Sequence, residues 1–172
     1  MITDFVTGLE IPNIGAEENR QAVAQYLVNE KGYSKDDIEV DVKIEMAFAG
    51  EPYHSRVDLV VRINGSKQRI MAIKCAAGSL GSREREILAA ARLLDDYQIP
   101  FAVVSDGKTA IVLDTISGKK TGDGLDAIPS KEAGTSMLKS YRPVGLPPER
   151  LERERLIFRT YDSQNVNVLR NL

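Results

Sequence analysis

Cysteine and histidine are nearly absent from this chain, at one residue each, Cys75 and His54. A lone cysteine excludes an internal disulfide, and nothing points to an oxidising compartment. A lone histidine gives little support to a Ser-His-Asp triad or a His-rich metal site. No run of ~20 apolar residues exists, so no membrane span is expected. Met1–Glu10 lacks a basic start followed by an apolar run and predicts no signal peptide, so the expected location is cytoplasmic. There is no Walker-type phosphate loop, and Gly78-Ser79-Leu80-Gly81 is too loose a match to count. An excess of one charge is also missing. A net charge of −2 does not advertise nucleic-acid binding, although a local basic patch would suffice for it.

What is present is an ordinary globular balance, 42% hydrophobic and 28% charged over 172 residues. That length fits one compact domain with a real core. Residues 1–14 read as an irregular lead-in. Ala16–Lys31 carries helical spacing, with Glu17 and Glu18 in the first turn, where the helix dipole favours acids, and Gly32 as a C-cap. Ile38, Val40, Val42, Ile44, Met46 and Phe48 alternate with charged residues as one half-buried strand. Ala49–Ser55 reads as a loop. Val57–Ile63 and Ile70–Cys75 read as strands joined at Asn64-Gly65-Ser66, a hairpin signal. A helix is expected over Ser82–Tyr97, with Ser82 as N-cap. Short strands follow at Pro100–Val104 and Ala110–Thr115, around an Asp106-Gly107 turn.

The order α-β-β-β-α-β-β predicts an α/β (α+β) domain over 1–118, with a mixed sheet flanked by helices. Beyond Gly118, prolines and polar residues suggest a mostly helical C-terminal arm over 119–172. Helices are expected at Ser130–Ser140 and Glu149–Thr160. The arm packs on the domain or on a partner subunit, and a homo-oligomer is one outcome.

Register decides whether Asp58 and Lys74 meet, because a one-residue slip turns every side chain to the other face. A two-residue loop at Asn64-Gly65 puts Asp58 opposite Met71, with Lys74 on the far face. A three-residue loop puts Asp58 opposite Ala72, with Lys74 two residues on along the same face. The apolar sets Val57, Leu59, Val61, Ile63 and Met71, Ile73, Cys75 share a face only in the second register. Asp58, Ala72 and Lys74 are therefore predicted to point together, away from the main hydrophobic face. Such an acid and lysine form either a surface ion pair worth little or a divalent-metal site. In the second case Asp58 is a hard oxygen ligand and Lys74 positions or activates water.

The words Glu17-Glu18-Asn19-Arg20-Gln21, Tyr26-Leu27 and Glu30-Lys31-Gly32-Tyr33 come first along the chain. Arg56-Val57-Asp58-Leu59-Val60-Val61, Ala72-Ile73-Lys74-Cys75 and Pro100-Phe101-Ala102-Val103-Val104-Ser105-Asp106-Gly107-Lys108 follow. In this order they resemble the PD-(D/E)xK nuclease superfamily. More narrowly, they resemble the N-terminal nuclease domain of type I restriction enzyme R subunits. The resemblance implies a restriction-endonuclease-like α-β-β-β-α-β core and a Mg²⁺-dependent DNA endonuclease. It implies Asp58 as the metal-binding aspartate, Lys74 as the catalytic lysine and Glu17, with Glu18 a close rival, as the helix acid. The E-x-K glutamate falls on Ala72, which has no metal ligand. Either Glu86 (or Glu84) reaches into the site from the following helix, or the site is inactive. In the second case the fold survives as a module that binds nucleic acid or a protein partner. A motor of the R-subunit kind would come from a separate polypeptide. Lys67, Arg69, Lys74, Arg83, Arg85 and Arg92 supply a modest basic patch, and Arg69, Arg83 and Arg85 are expected to contact DNA. Cys75 is expected to be buried and His54 to be a loop residue.

Overall fold

The structure, a computed structural model, describes residues 1–63 and 67–165. The expected turn at Asn64–Ser66 lies outside the described residues. Two short strands, β1 (Ile2–Thr3) and β2 (Glu10–Ile11), pair in the lead-in. The chain then runs through α1 (Glu17–Asn29), β3 (Ile38–Phe48), β4 (Glu51–Arg62), β5 (Arg69–Cys75) and α2 (Glu84–Leu93). It continues with β6 (Phe101–Ser105), β7 (Ala110–Asp114), β8 (Lys120–Asp123), α3 (Lys131–Ser140) and α4 (Pro148–Asn165). Strands β3 to β8 form one six-stranded sheet in sequence order. Every neighbouring pair is antiparallel except β5 and β6, which α2 connects as a parallel crossover. The expected mixed sheet flanked by helices and its α-β-β-β-α-β core are present.

Each face of the sheet carries a core. On one, Val23, Ala24 and Leu27 of α1 pack with Leu59, Val61, Met71, Ile73 and Val103, and α3 adds Met137 and Leu138. Gly134 lets α3 come down onto the sheet, because a Cβ there would stand 2.9 Å from Ile70 Cδ1. On the other face, Ile87 and Ala89–Ala91 of α2 and Phe158 of α4 cover Val60, Ala72, Ala102 and Val104.

Several boundaries differ from the sequence expectations. The stretch 51–55 is strand, not loop, because β3 turns into β4 through Ala49 and Gly50 alone, at φ 50° and 79°. Left-handed residues at both turn positions match the right-handed twist of a tight hairpin. Helix α2 opens with a 3-10 turn at Gly81–Arg83 and ends at Leu93. Ser82 therefore caps nothing, and its hydroxyl donates to the Ser79 carbonyl at 2.9 Å. The polar stretch after Gly118 contains β8, so the sheet runs past the suggested division between 118 and 119.

The long strand β3 does not keep one apolar face. Ile38 and Val40 pack on the α1 side, whereas Val42, Ile44 and Met46 pack on the side of α2 and α4. The switch falls at Asp41, whose φ of 51° breaks the alternation. Strand β4 switches alongside, with Val57 on the α2 side and Leu59 on the α1 side.

Candidate functional site

Strand β4 pairs with β5 from Arg62 to Leu59, in the register Leu59–Ile73 and Val60–Ala72. The expected register is thus off by two residues: the pairing Arg62–Arg69 at the turn end already carries one, and the bulge at Val61/Arg62 adds the other. A two-residue offset preserves the face, so Asp58, Ala72 and Lys74 still point together. Their face is not solvated, because Ala72 is fully buried beneath α2.

Past Leu59 the two strands part, and Asp58 stands in the fork. Its Oδ2 accepts the Cys75 backbone N–H at 2.8 Å, where a neighbouring strand would otherwise offer a carbonyl. Lys74 reaches the same carboxylate, with Nζ 3.8 Å from Oδ2. The Lys74 Nζ also lies 3.5 Å from Oε1 of Glu86, which the first turn of α2 delivers from above. Arg83 follows at 3.9 Å from Glu86 Oε2. Asp58 and Glu86 are only 2% and 3% exposed, and Lys74 is the half-buried member of the three. The Glu84 carboxylate instead lies over Gly81.

Other expected site residues stand further out. Both oxygens of Glu17 are engaged by Arg20, at 2.7 and 2.6 Å, and Arg20 also meets Asp4 at 2.9 Å. This network approaches β5 from the α1 side. Cys75 points there, its thiol held well above the usual value by burial, then by the Asp58 charge. Glu18 accepts from Asn13 on the surface. Arg69 sits at the opposite end of β5 from Lys74, about 16 Å away along the strand. There it is held by Glu39 at 2.8 Å and Asp95 at 3.3 Å. Arg85 stacks over Tyr161 of α4, 5.9 Å from the ring centre. Arg92 is buried against Glu154 at 2.7 Å. His54 is exposed on β4, 3.5 Å from Glu45. Asp106 makes the expected turn, accepting from the Lys108 and Thr109 N–H groups at 2.8 and 2.9 Å.

Sequence reasoning passed over Tyr53, Ser55 and Asp162. Asp162 on α4 accepts from both hydroxyls of β4, with Ser55 Oγ at 2.9 Å. Burial, then that bond, then the Asp162 and Glu86 charges push the Tyr53 phenol above its usual value. Tyr53 therefore lies within electrostatic reach of the fork. Strand and helix are 109 residues apart here, and no local pattern announces the contact.

The donor set fits Mg²⁺ better than a softer or fully caged ion. Two hard carboxylates converge on one ammonium, and Mg²⁺ is commonly held by one or two carboxylates with water and substrate oxygens. Among the described residues no group of three or more His, Cys, Asp or Glu could hold a metal ion.

The family model for the type I restriction enzyme R protein N terminus matches residues 15–129, and the chain belongs to that family. No curated protein matches the chain, and no solved structure does. Among the described residues no helix is long and apolar enough to cross a membrane.

Proposed function

We propose that this family member is a Mg²⁺-dependent DNA endonuclease whose second metal-binding acid has moved from β5 to α2. One observation carries the reading. Glu86 occupies the neighbourhood of Asp58 and Lys74 that Ala72 leaves without a carboxylate. The metal needs an oxygen in place and is indifferent to the element that supplies it.

Asp58 and Glu86 would hold Mg²⁺. When bound, the ion supplies Lewis-acid polarisation of the phosphodiester and a more acidic water. The Cys75 N–H fixes the Asp58 carboxylate. Lys74, as the half-buried member, orients the attacking water and faces the charge that develops on phosphoryl oxygen. Glu17 assists from the α1 side by holding Arg20 beside the fork. Arg83, on the turn leading into α2, and Arg85, in the first turn of α2, are the phosphate contacts closest in sequence to Glu86. Binding is expected to be sequence-indifferent and steeply salt-dependent.

A second reading, a non-catalytic module that binds nucleic acid or a partner, has one observation in its favour. Lys74 and Arg83 together match the charges of Asp58 and Glu86 without a metal. Plasmid nicking with Mg²⁺ or Mn²⁺ separates the two. The wild type nicks, and Asp58→Ala and Glu86→Gln do not. No nicking by any of them, or equal nicking by all, overturns the nuclease reading.

A further inference from the structure

Strands β3 and β4 are much longer than the sheet needs. Pairing of β4 with β5 ends at Leu59, yet β3 and β4 stay paired out to Phe48 and Glu51. Residues 42–48 and 51–57 thus form a two-stranded ribbon that starts at the fork. Seven residues reach about 23 Å at about 3.3 Å each. A bare ribbon is at best marginally stable in water, and this one is braced on one side by α4. Phe158 meets Tyr53 edge-on at 6.3 Å, Asp162 takes the Tyr53 and Ser55 hydroxyls, and Arg159 stacks over Phe48 at 5.4 Å.

The other side of the ribbon is exposed and shaped. The side chains of Lys43, Glu45, His54 and Arg56 border a shallow concavity of about 270 Å³ there, at whose edge Ser55, turned to α4, also stands. Lys43 stands directly across from Arg56, and Glu45 across from His54. Opposite charges across an antiparallel pair stabilise it, and like charges destabilise it. Glu45 and His54 obey that rule, at 3.5 Å. Lys43 and Arg56 break it at the position nearer the fork, two residues from Asp58. Folding gains nothing from two cations facing each other on an exposed ribbon, whereas an anion between them removes the cost.

We infer that this ribbon is a DNA-contacting arm that lies in the major groove of a duplex, with Lys43 and Arg56 clamping the backbone beside the fork. The major groove, about 12 Å wide, admits a two-stranded ribbon. A length of about 23 Å follows roughly seven base pairs at about 3.4 Å each. The inference rests on the reading of the chain as a DNA endonuclease and adds where the duplex lies.

The test is fluorescence anisotropy with a labelled duplex, alongside thermal melting. Lys43→Glu/Arg56→Glu should bind the duplex at least tenfold more weakly than wild type, with a salt slope shallower by about two units. Lys43→Glu alone should weaken binding while melting no lower than wild type, since it replaces a like-charge pair with an opposite one. Asp58→Ala should bind as wild type does and fail to nick. If wild type binds and nicks while Lys43→Glu/Arg56→Glu binds equally well, the arm is overturned and the nuclease reading stands. If wild type binds no duplex at all, both fall.

Discussion

Arg92 and Lys74 both stand in the layer between the sheet and the α2–α4 pair, each among carboxylates, and the two clusters differ in how closely their charges meet. Arg92 is saturated. Its Nε donates to the Thr115 carbonyl at 2.9 Å, and one terminal nitrogen meets Glu154 at 2.7 Å. Lys74 faces two carboxylates, at 3.5 and 3.8 Å, both longer than a charge-assisted hydrogen bond. The first cluster is a clasp that ties α4 to α2. The second gathers two acids around one ammonium, with Arg83 at 3.9 Å from Glu86, at longer distances throughout. Burial alone does not distinguish them, since Glu154, Asp58 and Glu86 are all nearly inaccessible. Closeness of contact and the ratio of acids to bases do.

The clasp should be the costlier to break. Glu154→Ala strands the Arg92 guanidinium in a buried position and should lower stability by about 3–5 kcal/mol, the usual penalty for breaking a buried pair from one side. Chemical denaturation measures it, and a loss under about 1 kcal/mol would show that Arg92 needs only its carbonyl partners. The site should respond in the opposite way. Glu86→Gln keeps shape and leaves Lys74 beside Asp58, so stability should change by no more than about 1 kcal/mol. Nicking should nonetheless be lost. A Glu86→Gln protein as destabilised as Glu154→Ala would place Glu86 among the clasps and weaken its role as a ligand.

The same contrast explains what the sequence made legible. Asp58, Lys74 and their shared face followed from strand alternation, which is a local property. Half of the two-residue error in register came from the bulge at Val61/Arg62, which no apolar pattern encodes, and half is already present where pairing begins at Arg62–Arg69. Glu86 looked like one acid in the charged start of a helix, Ser82-Arg83-Glu84-Arg85-Glu86. Its inward turn depends on how α2 settles on β5 and β6. Strand β4 was read six residues short because Pro52 and Gly50 suggested a loop, although the glycine is the hairpin turn itself. The face switch at Asp41 could not be seen, since a left-handed aspartate leaves no mark on composition. The clasp joins residues 62 apart in the chain, beyond the reach of periodicity.

Tyr53 connects the two regions and offers the smallest of the expected effects. It donates to Asp162 on α4 and lies within reach of the Glu86 charge. Burial first, then Asp162, holds its phenol above the usual value, with Arg159 opposing. A folded pKa above the unfolded value of about 10 means that the folded state keeps a proton the unfolded state releases. The contribution is complete below about pH 10 and is lost as pH rises from there towards the folded value. Tyr33 is shifted the same way by burial and Asp37, and Cys75 by burial and Asp58, so the wild type should lose stability steadily in alkali. Tyr53→Phe removes one of these losses. Its urea midpoint should start slightly below that of wild type, for want of the bond to Asp162, and then fall less steeply above about pH 10. Parallel curves for the two proteins would mean that the phenol ionises as freely folded as unfolded. In that case the α4 brace does not seal the ribbon beside the fork.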